Sequence, residues 1–151
     1  MIHQGKAGYP VHEVVIHASA TRPNWMANNT PQERFAEIRR WHMEDRGWRD
    51  IGYHRFIDRD GTIIVGRSLY EIGAHVKDHN RGTVGICLAG GHGAMATDAF
   101  EDNFTEAQRQ SLKAYLRELS MLTEIRKISG HNEYAAKACP GFMVEDADWL
   151  P

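Results

Sequence analysis

Five short runs rich in β-branched or aromatic residues predict strands, at residues 13–17, 53–58, 62–65, 84–89 and 125–129. The first run holds Val14, Val15 and Ile16 in succession, which is typical of a strand buried on both faces. Asp60-Gly61 separates the second run from the third. This pair indicates a β-hairpin, because glycine adopts the positive φ that the turn requires.

The run at 84–89 alternates larger apolar residues with smaller ones. One face of this predicted strand carries Val84, Ile86 and Leu88, and the other carries Gly85, Cys87 and Ala89. We expect the face with the smaller residues to let a helix or a loop approach the strand closely.

Two segments have helical signals at their starts. Thr30-Pro31-Gln32-Glu33 contains a capping box with proline at the first helical position, and this helix is expected to end near Gly47. A second capping box at Thr105–Gln108 begins a longer helix. Its apolar stripe has helical spacing and consists of Leu112, Tyr115, Leu116, Leu119 and Leu122.

The remaining segments are predicted to be irregular. Residues 90–103 read as a long exposed loop, 130–142 as a second loop and 143–149 as a brief terminal turn. Helices mixed with strands and a hairpin predict an α/β protein, or α+β under stricter naming, with a mixed central sheet flanked by helices. We expect one domain over residues 1–151.

Composition narrows the function classes. The chain has 151 residues, 42% of them hydrophobic and 25% charged, which indicates a folded globular protein. Its net charge of −2 gives no reason to expect nucleic acid as a partner, and no apolar run is long enough for membrane insertion. The N-terminus lacks the apolar core of a signal peptide, so we expect synthesis in the cytoplasm.

Nine histidines and two cysteines suggest where the chemistry lies. His131 and Cys139 are eight positions apart in a predicted loop after a strand, so both side chains can reach one ion. By themselves they are weak evidence for a metal, because such a pair more often consists of solvated loop residues. The best third ligand is His17 at the end of the first strand, with His12 near the start of that strand as the rival. Three ligands leave one position of a zinc ion open, as in catalytic sites.

A zinc deaminase is the first alternative to consider. His131-Asn132-Glu133 matches the His-x-Glu part of the deaminase motif. That motif also needs Pro-Cys-x-x-Cys downstream, whereas this chain has Cys139-Pro140 and no later cysteine. The deaminase interpretation therefore fails.

From about residue 13 to 142, the chain resembles the zinc-dependent N-acetylmuramoyl-L-alanine amidases, especially the short bacteriophage lysozyme type. The order and spacing of several motifs carry the resemblance. They are Ile16–Thr21, Arg39–His42 with Gly47-Trp48, Gly52–His54, Arg59–Thr62, Gly73–His75 with Asn80, Val84–Leu88, Asn103–Thr105 and Lys137–Gly141.

The resemblance implies a peptidoglycan hydrolase that cleaves the amide bond between N-acetylmuramic acid and the L-alanine of the stem peptide. It assigns His17, His131 and Cys139 as ligands of one Zn²⁺ per chain. It also assigns Tyr53 and Lys137 as catalytic residues. A phenol can orient or deprotonate the attacking water, and an ammonium group can stabilise the oxyanion of the substrate.

Other residues receive weaker assignments. The resemblance implies substrate contacts for His75 and Asn80. If Tyr53 faces the metal, strand alternation sends His54 to the opposite face, as a packing or supporting residue. The remaining histidines are expected at the surface or in packing. Cys87 is expected to be buried and unligated. Asp78-His79 differs from the Gly-Tyr that the family often has before this asparagine, so the loop is expected to differ.

The leading functional hypothesis is a phage or prophage endolysin that acts on the cell wall after the membrane has been permeabilised. Two alternatives are a cytosolic amidase that recycles soluble muropeptides and a non-catalytic peptidoglycan-binding module. Some members of the phage type also restrain a phage RNA polymerase, which is a candidate partner by analogy only. We expect a monomer.

Overall fold

The computed structural model describes residues 1–151, and its elements are as follows. The strands are β1 (His3–Gln4), β2 (Tyr9–Pro10), β3 (Glu13–Ala18), β4 (Arg55–Ile57), β5 (Ile63–Val65), β6 (Thr83–Leu88) and β7 (Lys127–Gly130). The α-helices are α1 (Pro31–Arg40), α2 (Phe100–Asn103), α3 (Glu106–Leu122) and α4 (Asp146–Trp149). A π-helical turn at Trp41–Asp45 continues α1, and a 3-10 turn at His131–Glu133 follows β7.

Five strands form one mixed sheet in the order β5-β4-β6-β3-β7. Strand β3 pairs in parallel with β6 on one side and with β7 on the other, and β4 pairs in parallel with β6. The antiparallel β4–β5 pair forms the predicted hairpin, where Gly61 has a φ of +89°. The architecture confirms the predicted mixed α/β sheet flanked by helices.

The larger core lies on one face of this sheet, under α3. It contains 18 buried residues, among them Val14, Ile16, Leu112 and Leu116. The Thr105 hydroxyl accepts the N–H of Gln108, as its capping box predicts. The predicted stripe is buried except for Leu122, which is 53% exposed because α3 ends there beyond the edge of the core.

The opposite face of the sheet carries a smaller apolar cluster and the polar side chains of interest. Cys87 and Ala89 belong to this cluster, together with Ile38, Ile51 and Phe56. The predicted alternation along β6 is therefore correct. A Cβ atom at Gly85 would lie only 2.6 Å from the ring of His75, so the small residue does allow a loop to approach closely.

Several sequence-based expectations need correction. Residues 90–103 contain the short helix α2 and the buried Phe100, because Phe100 packs against Phe142 and Trp149 from distant parts of the chain. The small β1–β2 hairpin was not predicted. Strand β4 begins at Arg55, two residues later than expected. No helix of the structure combines the length and the apolarity needed to cross a bilayer.

Candidate metal centre

Two histidines meet at adjacent strand ends. His17 is in β3, and the first turn after β7 begins with His131. Since Ile16 pairs with Gly130, the last residue of β7, the two residues that follow this pair are brought side by side. Their ring centroids are 4.7 Å apart. Sheet register therefore brings together two side chains that are far apart in sequence.

Cys139 completes the group from the loop after β7. Its Sγ atom accepts a hydrogen bond from the backbone N–H of Ala18 at 3.3 Å and lies 3.9 Å from Nδ1 of His17. The potential ligand atoms of His17, His131 and Cys139 all lie within 4.8 Å of one another. The rival His12 is excluded, because its Nδ1 binds the carbonyl of Glu124 at the other end of β3.

Burial controls the protonation of the three groups. It lowers the pKa of His17 well below the usual value, with further contributions from His75, His131 and Lys137. Burial and then the Lys137 ammonium also lower the pKa of His131. Both imidazoles are therefore neutral at neutral pH and have a lone pair available for a metal. Burial raises the pKa of the Cys139 thiol, so a metal must displace its proton.

Tyr53 borders the centre from the side of α1. Its ring centroid is 5.1 Å from that of His17 and 5.3 Å from that of His42. Burial raises the pKa of the Tyr53 hydroxyl, as do the neighbouring thiol groups of Cys87 and Cys139. The side chain is thus a neutral phenol that can donate a hydrogen bond.

Lys137 lies in the same loop as Cys139 and is exposed. Its ammonium group is near enough to lower the pKa values of His17, His131 and Cys139. An open apolar depression begins beside it, with Met95, Met143 and several alanines in its lining. A positive charge at the mouth of the centre can attract a developing negative charge on a bound molecule.

Comparisons with known proteins identify the family to which this chain belongs. Residues 7–142 match the family profile "N-acetylmuramoyl-L-alanine amidase". The chain belongs to this amidase family. It is 41% identical over 132 residues to the endolysin of Escherichia phage T7, a match that covers 87% of this chain and 82% of that protein.

Solved structures agree with the assignment. The N-acetylmuramoyl-L-alanine amidase LysC from Clostridium intestinale superposes with a TM-score of 0.69 at 30% identity, covering 88% of this chain and 78% of that one. Peptidoglycan recognition protein-LE, solved with a monomeric diaminopimelic acid-type peptidoglycan, gives a TM-score of 0.71 at 27% identity, covering 88% and 75%. The protein is a peptidoglycan-hydrolysing amidase.

In this amidase, His75 contacts the Nε2 side of the His17 ring, and Asn80 contacts the backbone of His75. His75 is only 8% exposed, and its Nδ1 lies 2.9 Å from Nε2 of His17. The side-chain oxygen of Asn80 accepts the backbone N–H groups of His75 and Val76. Substrate contact by these two residues stays a prediction, while their observed contacts are with the protein itself.

His54 departs from its expected position. It is buried, as expected of a packing residue, but its ring lies 5.8 Å from that of His75, on the same side of the sheet as the metal centre. Strand alternation does not apply to Tyr53 and His54, because both residues precede β4. Cys87 is buried, as predicted, and forms no disulfide.

The loop before Asn80 has an unusual backbone. Asp78 adopts a φ of +64°, in the left-handed region where the family's glycine is more easily accommodated. Aspartate is among the few other residues that tolerate this conformation. His79 then reaches Glu13 at 2.6 Å and stacks on Tyr134, with 4.1 Å between ring centroids. The side chain of His79 thus connects the loop before Asn80 to Tyr134, which lies three residues before Lys137.

Sequence reasoning missed Thr83. Its hydroxyl lies 3.1 Å from Nε2 of His75 and 2.8 Å from the carbonyl of Asn80. The one available signal was the alternation along β6, which places Thr83 on the same face as Gly85 and Cys87.

Proposed function

We propose that the amidase binds one Zn²⁺ per chain through His17, His131 and Cys139. The donor set of two imidazoles and one thiolate is the kind that zinc prefers. Ideal tetrahedral zinc bonds would separate an imidazole nitrogen from a thiolate sulfur by about 3.6 Å. The 3.9 Å between His17 Nδ1 and Cys139 Sγ is close to that value, so the residues fit the ion.

The proposed reaction is hydrolysis of the amide bond between N-acetylmuramic acid and L-alanine. Bound zinc supplies a Lewis acid that activates water and polarises the scissile carbonyl. The Tyr53 phenol holds the attacking water in line with the carbonyl carbon, since it lies beside His17 as a neutral donor. The Lys137 ammonium stabilises the negative charge that develops on the carbonyl oxygen of the substrate.

Three ligands rather than four support a catalytic site. A structural zinc site is closed by four protein ligands, whereas a catalytic one keeps a position for water or substrate. Three potential ligands cluster here, one of them buried and two half-buried. A non-catalytic binding module has no need of the thiolate, so the retained Cys139 favours the hydrolase.

We further propose that the protein acts as an endolysin on intact cell wall. The similarity to the phage T7 endolysin extends over most of both chains, which supports this role. One sheet carries both apolar clusters, which supports a single domain over residues 1–151. Cytoplasmic synthesis, access to the wall through a permeabilised membrane, the monomeric state and an RNA polymerase partner stay predictions.

The decisive experiment combines metal analysis with hydrolysis of purified peptidoglycan. The wild-type protein should contain about one zinc per chain and release amino groups of L-alanine, and a chelator should abolish the release. Cys139→Ala should lose both zinc and activity, whereas the matched variant Cys87→Ala should keep its zinc. Unchanged hydrolysis after complete removal of metal would refute the proposal.

A substrate comparison separates the endolysin from a recycling amidase. Rates on intact sacculi and on soluble anhydro-muropeptides should be measured at equal concentrations of cleavable bonds. Faster cleavage of intact sacculi supports the endolysin. A strong preference for the soluble fragments would instead support the recycling role.

A further inference from the structure

A line of hydrogen bonds extends from the metal centre into the protein behind His17. Nε2 of His17 lies 2.9 Å from Nδ1 of His75. Nε2 of His75 lies 3.1 Å from the Thr83 hydroxyl, which lies 2.8 Å from the carbonyl oxygen of Asn80. We call these four groups the His17–Asn80 chain. All of them lie on the metal-centre side of the sheet.

The carbonyl at its far end fixes the direction of every hydrogen bond. A carbonyl oxygen can only accept, so the single proton of the Thr83 hydroxyl is donated to Asn80. Thr83 oxygen must then accept the N–H of Nε2 in His75. A neutral imidazole has one N–H, which leaves Nδ1 of His75 as an acceptor. His17 therefore carries its proton on Nε2 and has a free lone pair on Nδ1.

That lone pair is the one the metal needs. Nδ1 of His17 faces Sγ of Cys139 at 3.9 Å. The other tautomer would place a proton between the ring and the thiol, and two bare nitrogens would face each other in the His17–His75 contact. Both changes would oppose metal binding.

We propose that His75, held by Thr83, is a positioning residue that selects the metal-binding tautomer and ring orientation of His17. The inference rests on the proposed zinc function. It differs from a substrate contact, because it assigns the ring of His75 a role inside the protein. Protein groups that hydrogen-bond to a ligating histidine typically change metal affinity 10–100-fold when they are mutated.

The surroundings of His75 show that its ring is held in place. Cβ atoms at Gly73 and Gly85 would lie 2.7 Å and 2.6 Å from the ring, so both positions must remain small. Asn80 accepts the backbone N–H of His75 at 2.8 Å. The ring thus has little freedom to rotate away from His17.

The His17–Asn80 chain contains no carboxylate or other anionic group. A ligating histidine is often supported by a carboxylate, which adds a negative charge near the metal. Here the supporting group is a buried imidazole, and its two ring nitrogens contact His17 and Thr83 with no carboxylate beside them. A neutral support orients His17 without reducing the positive charge at the centre, which suits a site that must stabilise an oxyanion.

The first test is made on the metal-free protein. Nitrogen NMR shifts of the His17 ring should report a proton on Nε2 in the wild type. His75→Phe keeps a ring of similar size but removes the acceptor, so it should give a mixture of tautomers. His92→Phe, at an exposed histidine, should leave the His17 signals unchanged. A proton on Nδ1 of His17 in the wild type would overturn the proposal.

The second test measures zinc affinity by competition with a chelator. His75→Phe should bind zinc about 10–100-fold more weakly. His75→Asn, whose amide oxygen can replace Nδ1 as the acceptor, should recover part of the loss. Equal affinities of the wild type and His75→Phe would contradict the proposal, as would failure of asparagine to do better than phenylalanine.

Thr83→Val provides an independent variant if His75→Phe does not fold. Valine has the shape of threonine without the hydroxyl, so the ring of His75 remains but loses its proton acceptor. Zinc affinity should fall roughly 2–10-fold, and some of the His17 ring should change tautomer. Thr97→Val, at an exposed threonine, is the matched control. Identical zinc affinity and His17 signals in Thr83→Val and the wild type would refute the role of the hydroxyl.

These tests separate this inference from the proposed function. If the protein binds no zinc, the proposed function fails, but the tautomer of His17 still decides whether the hydrogen bonds have the stated direction. The opposite outcome is also distinguishable. If the wild type binds zinc and hydrolyses peptidoglycan, but His75→Phe changes neither the tautomer of His17 nor the zinc affinity, the proposed function stands and the inference fails.

Discussion

The two faces of the five-stranded sheet are built from alternate residues of the same strands. In β3, Val14 and Ile16 join the large apolar core, while His17 points to the metal centre. In β6, Ile86 joins the core and Gly85 lies against His75. A shift of one residue in register would exchange the faces, so the buried apolar residues also fix the position of the chemistry.

The faces differ in what holds them together. The core face is held by apolar packing, which has no direction and tolerates small adjustments. The metal-centre face has only a small apolar cluster and also depends on hydrogen bonds between specific atoms, such as the N–H of Gly85 donated to Nδ1 of His54 at 3.0 Å. We therefore expect core variants to change stability without changing chemistry, and changes on the metal-centre face to affect chemistry or the pH dependence of stability. The four predictions below test this separation, beginning with the largest expected effect.

Tyr53→Phe should lower the rate of peptidoglycan hydrolysis by about 10²–10⁴-fold, because phenylalanine lacks the hydroxyl group that holds the attacking water. Zinc content should remain at about one per chain, since Tyr53 is not a ligand. Tyr70→Phe, at an exposed tyrosine, serves as the control and should keep its activity. Loss of zinc in Tyr53→Phe would contradict the assigned role.

Leu116→Ala should reduce the free energy of unfolding by about 2–5 kcal/mol, because Leu116 is fully buried on the inner face of α3 and its truncation leaves a cavity. Denaturant titration measures the loss. Below the unfolding transition, zinc content and kcat should stay near those of the wild type. Leu122→Ala, in the same helix but 53% exposed, should change stability by less than about 0.5 kcal/mol. Similar losses for both leucines would refute the predicted difference between them.

Acid should destabilise the fold through the metal-centre face. Burial lowers the pKa of His54 to about 4, and its neutral form donates from Nε2 to Glu71 and accepts from Gly85 at Nδ1. The folded pKa lies below the unfolded one, so this stabilisation is complete above about pH 6.5 and is lost as the pH falls toward 4. The expected loss between pH 7 and 4.5 is about 2.5 kcal/mol.

Unfolding by urea at several pH values of the metal-free protein measures that loss, and proton NMR follows the His54 ring. His54→Gln should flatten the dependence on pH over this range. An unchanged slope in that variant would assign the acid sensitivity to other buried histidines, such as His42, whose pKa burial also lowers to about 4.

Local patterns in the sequence predicted much of this molecule. The capping boxes at Thr30 and Thr105 form as expected, because each involves residues only three positions apart. The proposed ligands His17, His131 and Cys139 were predicted from the chemistry of their side chains, from their positions near strand ends and from a family resemblance. In each case, residues close in sequence or matching a known motif carried the prediction.

Contacts between distant segments were harder to predict. His75 is 58 residues from His17, and the hydrogen bond between them depends on how a loop lies over Gly85. Phe100 was expected in an exposed loop because the glycines near it are typical of loops. Instead it packs against Phe142 and Trp149, which are distant in sequence. No local pattern contains this information.

The smallest predicted effect is a difference in stability cost between two N-terminal caps, on helices that lie on opposite faces of the sheet. Thr30 caps α1 and is exposed, whereas Thr105 caps α3, is half-buried and also donates its hydroxyl to the carbonyl of Arg59 at 2.6 Å. Thr30→Ala should cost about 0.5–1 kcal/mol and Thr105→Ala about 1–2 kcal/mol. Thr105→Ser, which keeps both hydrogen bonds, should recover most of the loss. Equal costs in denaturant titrations would show that the cap alone matters and that the extra bond to Arg59 contributes nothing.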